Sequence, residues 1–137
     1  MASELKVNKL TGVTTAGSIS VTGEGNSTTT NLQQGLAKAW INLNGTGTIA
    51  TRDSFNVSSI ADQSTGDTRV TVSSAFATTN YCTTASGGEN ADSYTGGMRA
   101  GSCYMVSTTV AGVAISFQNG GASDCVINCS HITGDLA

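Results

Sequence analysis

The sequence predicts an all-β fold, in which an antiparallel β-sandwich or jelly-roll-like domain follows an extended N-terminal arm. Thr, Ser, Gly and Asn make up nearly half of the 137 residues, proline is absent, and only 11% of the residues are charged. This composition lacks the Leu, Glu and Lys runs of helical proteins, whereas Thr and Ser suit the exposed positions of pleated strands. Short apolar segments with period-two alternation recur between turn-forming residues. At this length the chain forms one compact domain with room for an additional arm.

The stretch of residues 37–73 carries the strand pattern most clearly. Four strands rich in β-branched and aromatic residues are predicted in it, at residues 38–43, 47–53, 55–60 and 67–73. Asn44-Gly45-Thr46-Gly47 and Ser64-Thr65-Gly66-Asp67 consist of turn formers and mark two of the connections. The first of these is glycine-rich but lacks the lysine and the following helix of a phosphate-binding loop, so it is predicted to be a turn.

The second half of the chain continues the series with longer connections. Four further strands are predicted, at residues 79–84, 102–109, 112–118 and 124–133. Residues 85–101 are Gly-rich without a clear pattern and are predicted to form a long exposed loop. Residues 110–113 predict a tight hairpin, and Asn119-Gly120-Gly121 predicts a turn before the last strand. Residues 31–39 are the segment where one or two helical turns are expected, although Gly35 disfavours them.

The N-terminal region is predicted to be an arm. Residues 4–7 (ELKV) and 18–22 (SISVT) alternate, and the polar residues 23–31 break the pattern. The two alternating segments bury too little apolar surface to be stable as a free hairpin, so they need a partner surface. We therefore predict an anchoring arm at residues 1–35 and a displayed β-sandwich domain at residues 36–137. The alternative is a frayed terminus, but the alternation favours docking, and an extended arm of this length spans about 100 Å.

Charge and hydropathy exclude two classes of partner. The formal net charge is −3, and the six Lys and Arg are scattered, so a nucleic acid partner is not expected. No apolar run approaches the roughly 20 residues that span a bilayer. Membrane insertion is therefore not expected. The first residues lack the hydrophobic segment of a secretory signal, so we expect synthesis in a cytoplasm.

The sequence gives only weak signals for a metal site or a catalytic site. Cys125, Cys129 and His131, together with Cys82 and Cys103, provide zinc-type ligands. Structural zinc sites place close cysteines on a turn, however, whereas the alternation here predicts a straight strand. His131 combines on paper with a serine and with Asp124 or Asp135, yet no G-x-S-x-G motif occurs. The chain is therefore predicted to be no enzyme and to hold no metal or cofactor.

A glycosidase-type pair of carboxylates is another candidate site with a weak signal. Glu89 and Asp92 are the one pair of acids near a predicted cleft, and both fall in the predicted loop at residues 85–101. The chain is too short for the large β-helical trimers that degrade polysaccharides. This pair does not change the non-enzymatic prediction.

The four cysteines are predicted either to form disulfides or to be buried thiols. They are Cys82, Cys103, Cys125 and Cys129. If residues 124–133 are extended, Cys125 and Cys129 lie on the same face about 13 Å apart, whereas a disulfide tolerates about 7 Å between Cα atoms. That pair is excluded on this geometry, so any bridges would join Cys82 and Cys103 to the last strand. Assembly in a reducing cytoplasm favours thiols at first.

Large aromatic residues are predicted to supply most of the core. The set consists of Trp40, Phe55, Phe76, Tyr81, Tyr104 and Phe117. Tyr94 differs because it lies in the predicted loop among polar residues and glycine. An exposed aromatic ring stacks on sugar faces or protein surfaces, so Tyr94 is the predicted contact residue.

Two neighbouring segments carry a family resemblance. AKAWINLNGTGTIA (residues 37–50) and RDSFNVSSI (residues 52–60) resemble the core of small fibre and decoration-type structural proteins of tailed bacteriophages, especially those of marine hosts. The chain end GDLA (residues 134–137) resembles these proteins more loosely, and the cysteine-bearing second half matches least. The resemblance is to structural proteins and not to an enzyme.

This resemblance implies a function, partners and a location. It implies a non-enzymatic virion structural protein, either a head decoration (cement) protein or a short tail fibre, anchored by its N-terminal arm. The alternative is a receptor- or glycan-binding adhesin module of a tail fibre, which would add a host-surface glycan as a partner. The implied partners are otherwise further copies of the chain, in a homotrimer, and other capsid or tail proteins. The expected location is the particle surface, after assembly in the host cytoplasm.

Overall fold

The structure is a computed structural model that describes residues 4–12, 19–23, 28–89, 99–117 and 120–136. The chain divides into two compact units, Met1–Leu36 and Ala37–Ala137. In the part of the chain that the structure describes, no helix is both long and apolar enough to cross a membrane.

The first unit contains a short hairpin and one helical turn. Strand β1 (Ser20–Thr22) pairs antiparallel with β2 (Thr29–Asn31), and α1 (Leu32–Gly35) follows directly. The expected helical turn is thus confirmed. Strand β2 lies in a stretch that the sequence pattern assigned to a polar break, because its Thr29 and Thr30 are β-branched and suit a strand despite being polar.

The second unit is all-β and antiparallel. Its strands are β3 (Ala37–Asn44), β4 (Ala50–Phe55), β5 (Val57–Ser64), β6 (Asp67–Val72), β7 (Cys82–Gly88), β8 (Arg99–Met105), β9 (Val110–Phe117) and β10 (Ile127–Thr133). They form one eight-stranded sheet in the order β4-β3-β10-β7-β8-β9-β6-β5, which curves into a nearly closed, barrel-like sandwich. The predicted all-β antiparallel fold is therefore confirmed.

The two strands at the ends of this order are joined by a single residue. Asn56 connects β4 to β5 with a φ of 56°, and it is the one non-glycine residue with positive φ in the described part of the chain. Its side-chain Nδ2 donates to the carbonyl of Lys38 at 2.9 Å, and its Oδ1 accepts from the amide of Ser74 at 2.8 Å. Through these two hydrogen bonds Asn56 links β3, which contains Lys38, to the segment that follows β6, which contains Ser74.

The core consists of two clusters of buried side chains inside the sheet. One cluster contains Ala39, Val72, Phe76, Tyr81, Ala111 and Ile132, and the other contains Ile41, Leu43, Val70, Val113, Ile115 and Cys125. The rings of Phe76 and Tyr81 stack with their centroids 4.5 Å apart. Alternate residues of β3, β6 and β9 supply most of both clusters, as the period of two in a half-buried strand requires.

Two predicted connections differ from the structure. The hairpin predicted at residues 110–113 is wrong, because these residues belong to β9. The chain reverses at residues 106–109 instead, where the Ser107 Oγ accepts from the amides of Thr109 and Val110. The loop predicted at residues 85–101 is also too long, because β7 continues to Gly88 and β8 begins at Arg99.

Candidate functional site

A shallow groove of about 440 Å³ lies on the outer face of β3, β10 and β7. We call it the outer groove, and it is lined by Trp40, Ile41, Asn42, Thr84, Ala85, Ser86, Cys129, Ser130 and His131. The three strands come from distant parts of the sequence. The groove therefore exists only because β10 pairs with β3 on one side and with β7 on the other.

Strand alternation directs the lining side chains outward. In β3 the buried residues are Ala39, Ile41 and Leu43, so Trp40 and Asn42 lie on the opposite face. In the same way Asn128, Ser130 and Ile132 are buried in β10. Cys129 and His131 consequently face outward.

The pairing registers align these side chains in two rows. His131 lies opposite Trp40 on one side and opposite Thr84 on the other. Cys129 lies between Asn42 and Ser86 in the same manner. Directly opposed residues in an antiparallel pair have Cβ atoms about 5 Å apart. Each row is therefore a continuous strip of contacting side chains.

An aromatic pair borders the groove. Phe55 in β4 lies opposite Trp40 in β3, and the two residues are 53% and 36% exposed. The prediction that Trp40, Phe55 and Phe117 belong to the core is wrong, since Phe117 is 38% exposed as well. For Trp40 the signal was present in the sequence, because the alternation that buries Ile41 puts Trp40 on the same face as Asn42.

The residues that line the outer groove include no Asp, Glu, Lys or Arg. Arg52, near its border, is directed to the backbone, since its Nη1 donates to the carbonyl of Leu43 at 3.2 Å and to the carbonyl of Val126. The carboxylate of Asp53 accepts from the amide of Ser54 at 2.8 Å. An indole face beside amide, hydroxyl and imidazole groups suits an uncharged polar ligand with an apolar face.

The cysteines occupy four different environments and are all free thiols. Cys82 is exposed, Cys103 and Cys129 are half-buried, and Cys125 is buried in the core. The prediction that Cys125 and Cys129 share one face of a strand is wrong, because β10 begins only at Ile127. Cys125 precedes the strand by two residues, and its carbonyl accepts from the amide of Gly45 at 2.8 Å.

The remaining predicted site residues are dispersed. In the described ranges no three His, Cys, Asp or Glu side chains are grouped so that they could hold a metal ion. The carboxylate of Asp124 accepts from the amide of Gly66 at 2.6 Å, which ties it to the β5–β6 turn. Glu89 forms an ion pair with Arg99. Tyr94, the predicted contact residue, and Asp92 lie outside the described residues.

A second cluster on the outer face covers β6, β9 and β8. The Tyr104 hydroxyl donates to the carboxylate of Asp67 at 2.7 Å, and the Arg69 guanidinium lies 4.6 Å from the centre of the Tyr104 ring. The Tyr104 ring lies over Gly112, where an added Cβ would be only 2.2 Å from the ring. Burial, with help from the Asp67 carboxylate, raises the pKa of Tyr104. The contacts of this cluster link three neighbouring strands.

Comparisons of the chain with models of known protein families, with curated proteins and with solved structures gave no match.

Proposed function

We propose that the chain is a non-enzymatic structural protein of a bacteriophage particle, either a head decoration (cement) protein or a short tail fibre. In this proposal the N-terminal unit attaches the chain to capsid or tail proteins and the β-domain is displayed. The chain acts as a homotrimer on the particle surface. The resemblance of residues 37–60 to such proteins is one support.

The observation that carries the proposal is the exposure of large apolar side chains in the N-terminal unit. Leu5, Val7 and Leu10 are 79%, 55% and 57% exposed, and Val21 and Leu36 are 52% exposed each. Such a concentration of exposed apolar residues in one short segment marks an interaction surface. The β-domain exposes large apolar side chains as well, but it also has two buried clusters of its own. All of the buried hydrophobic residues in the described part of the chain belong to the β-domain, and none belongs to the N-terminal unit.

Attachment to particles that lack the protein tests this proposal. A chain that begins at Ala37 and a Leu5→Ser/Val7→Ser double variant should both lose attachment, because they lack the apolar contacts. Asn8→Ser is the matched control in the same segment and should attach like the wild type. Full decoration by the truncated chain would refute the proposal. The copy number per particle, measured by quantitative protein analysis, then separates a head location with many copies from a tail location with few.

A receptor- or glycan-binding module of a tail fibre is the second candidate, and the outer groove favours it. The exposed pair of Trp40 and Phe55 offers aromatic faces that stack on the C–H face of a sugar ring. Asn42 and His131 beside it offer hydrogen-bonding groups.

The tryptophan provides a direct assay for this candidate, since Trp40 is the single tryptophan of the chain. Titration with host-surface glycans should change its fluorescence, and Trp40→Ala should abolish binding in a separate sedimentation assay. Val106→Ala is the control, because Val106 is an exposed apolar residue in the β8–β9 turn. Unchanged fluorescence at saturating glycan would remove this candidate and leave the structural role intact.

A further inference from the structure

We propose that residues 4–12 of one copy of the chain add as an extra strand to the free edge of β5 in a neighbouring copy. β5 (Val57–Ser64) is the last strand of the sheet, and among the residues that the structure describes it pairs along its length with β6 alone. Its second edge therefore presents backbone N–H and C=O groups, which are the template for strand addition. Six of its eight residues are exposed.

The edge of β5 also has an apolar side that an added strand would cover. Val57 and Ile60 are half-buried and pack against the core cluster that contains Ile41. A new strand next to β5 would shield these two side chains from water. Burial of apolar surface and backbone hydrogen bonds would then act together.

Residues 4–12 have the properties of the missing strand. All nine are exposed and none is in a helix or strand. Leu5 and Val7 alternate with Lys6, so an extended conformation puts both apolar residues on one face. Nine extended residues span about 30 Å and the eight of β5 about 26 Å, so the lengths match.

Charge selects this segment over a second copy of β5. Asp62 is the single charged residue of β5, so two β5 edges placed side by side would bring like charges together. The donor segment contributes Lys6 and Lys9 against Glu4 and is net positive. The Lys6–Glu4 pair, at 3.5 Å, is highly exposed and too weak to withhold Lys6 from a partner.

This arrangement has a consequence for symmetry. When each copy donates residues 4–12 to the next copy, the contact is head-to-tail, and such contacts form a ring when the rotation between copies closes. Three copies would give the homotrimer proposed above. The inference deepens the proposed function, because residues 4–12 belong to the unit that attaches the chain to the particle in that proposal. Sedimentation of copies in solution tests the pairing without a particle, so its failure can be told apart from a failure of attachment.

Charge reversal in the full-length chain tests the pairing, with sedimentation as the readout. The wild type should sediment with about three times the monomer mass of 13.8 kDa. Asp62→Lys, and separately Lys6→Glu/Lys9→Glu, should each weaken self-association roughly tenfold. The combined triple variant should regain most of the loss, because the charges are complementary again. Asp53→Lys on β4 is the control and should associate like the wild type.

Each other result overturns the inference. If the wild type remains monomeric throughout the accessible concentration range, residues 4–12 are either unpaired or bound within their own chain. An oligomer that is insensitive to both reversals, or one that the triple variant does not restore, assembles through another surface. Circular dichroism of every variant checks that the β-domain is folded, and the lysine variants should give the wild-type spectrum because Lys6 and Lys9 lie outside that domain.

Discussion

Replacement of Asn56 tests how the nearly closed sheet is held together. This residue joins the end strands β4 and β5, has a left-handed backbone with φ of 56°, and makes side-chain hydrogen bonds to Lys38 and Ser74. Its own carbonyl also accepts from the amide of Ser73 at 3.1 Å. Asn56→Ala removes the two side-chain hydrogen bonds. It also puts alanine in the left-handed backbone conformation, which alanine rarely adopts. Asn56→Gly removes the same bonds but tolerates the conformation.

The two contributions can be separated in size. Each of the two hydrogen bonds contributes about 0.5–1.5 kcal/mol, and the left-handed conformation costs an alanine about 1 kcal/mol. Asn56→Gly should therefore lower the free energy of unfolding by about 1–3 kcal/mol, and Asn56→Ala by about 2–4 kcal/mol. For a domain of this size the alanine variant corresponds to a fall in Tm of about 10–30 °C.

Urea unfolding followed by circular dichroism measures both variants, with Asn80→Ala as the control. Asn80 is exposed, so its replacement should change stability by less than about 0.5 kcal/mol. Equal stability of Asn56→Gly and Asn56→Ala would show that the left-handed conformation carries no cost. Wild-type stability in both would show that the Asn56 side chain does not hold the β4–β5 connection, which refutes the reasoning.

Two further predictions concern the second cluster and the effect of alkaline pH. Gly112→Ala should displace the Tyr104 ring and lower the free energy of unfolding in urea by about 1–3 kcal/mol. In a double-mutant cycle, the same replacement in a Tyr104→Ala background should lower it much less. Additive effects of the two substitutions would contradict the contact. Burial raises the pKa of the Cys103 thiol above its ordinary 9.0 and that of the Tyr81 hydroxyl above 10.0, so the folded state holds protons that the unfolded chain releases. Stability should consequently be constant below about pH 9 and fall as the pH rises through the folded-state values, and a urea midpoint that rises over this range would contradict the assignment.

The sequence by itself determined the local structure of this chain. In β3 the apolar residues Ala39, Ile41 and Leu43 occupy alternate positions, and this period of two indicates a strand. Ser64 to Asp67 predicted the β5–β6 turn, where Gly66 has a φ of 72° that favours glycine. These features depend on side-chain size and backbone preference over a few residues, so they can be read without the fold.

Only the tertiary structure decided which strands are neighbours and therefore where the outer groove lies. β10 is the last strand in the chain but inserts between β3 and β7, which brings His131 next to Trp40. The start of β10 also depends on its neighbours, because the carbonyl of Cys125, just before the strand, accepts from the amide of Gly45. Alternation fixes the two faces of a strand, but any strand with a matching buried face can pair with it. The order of the sheet depends instead on the combined packing of the core and on the connections, which no local pattern encodes.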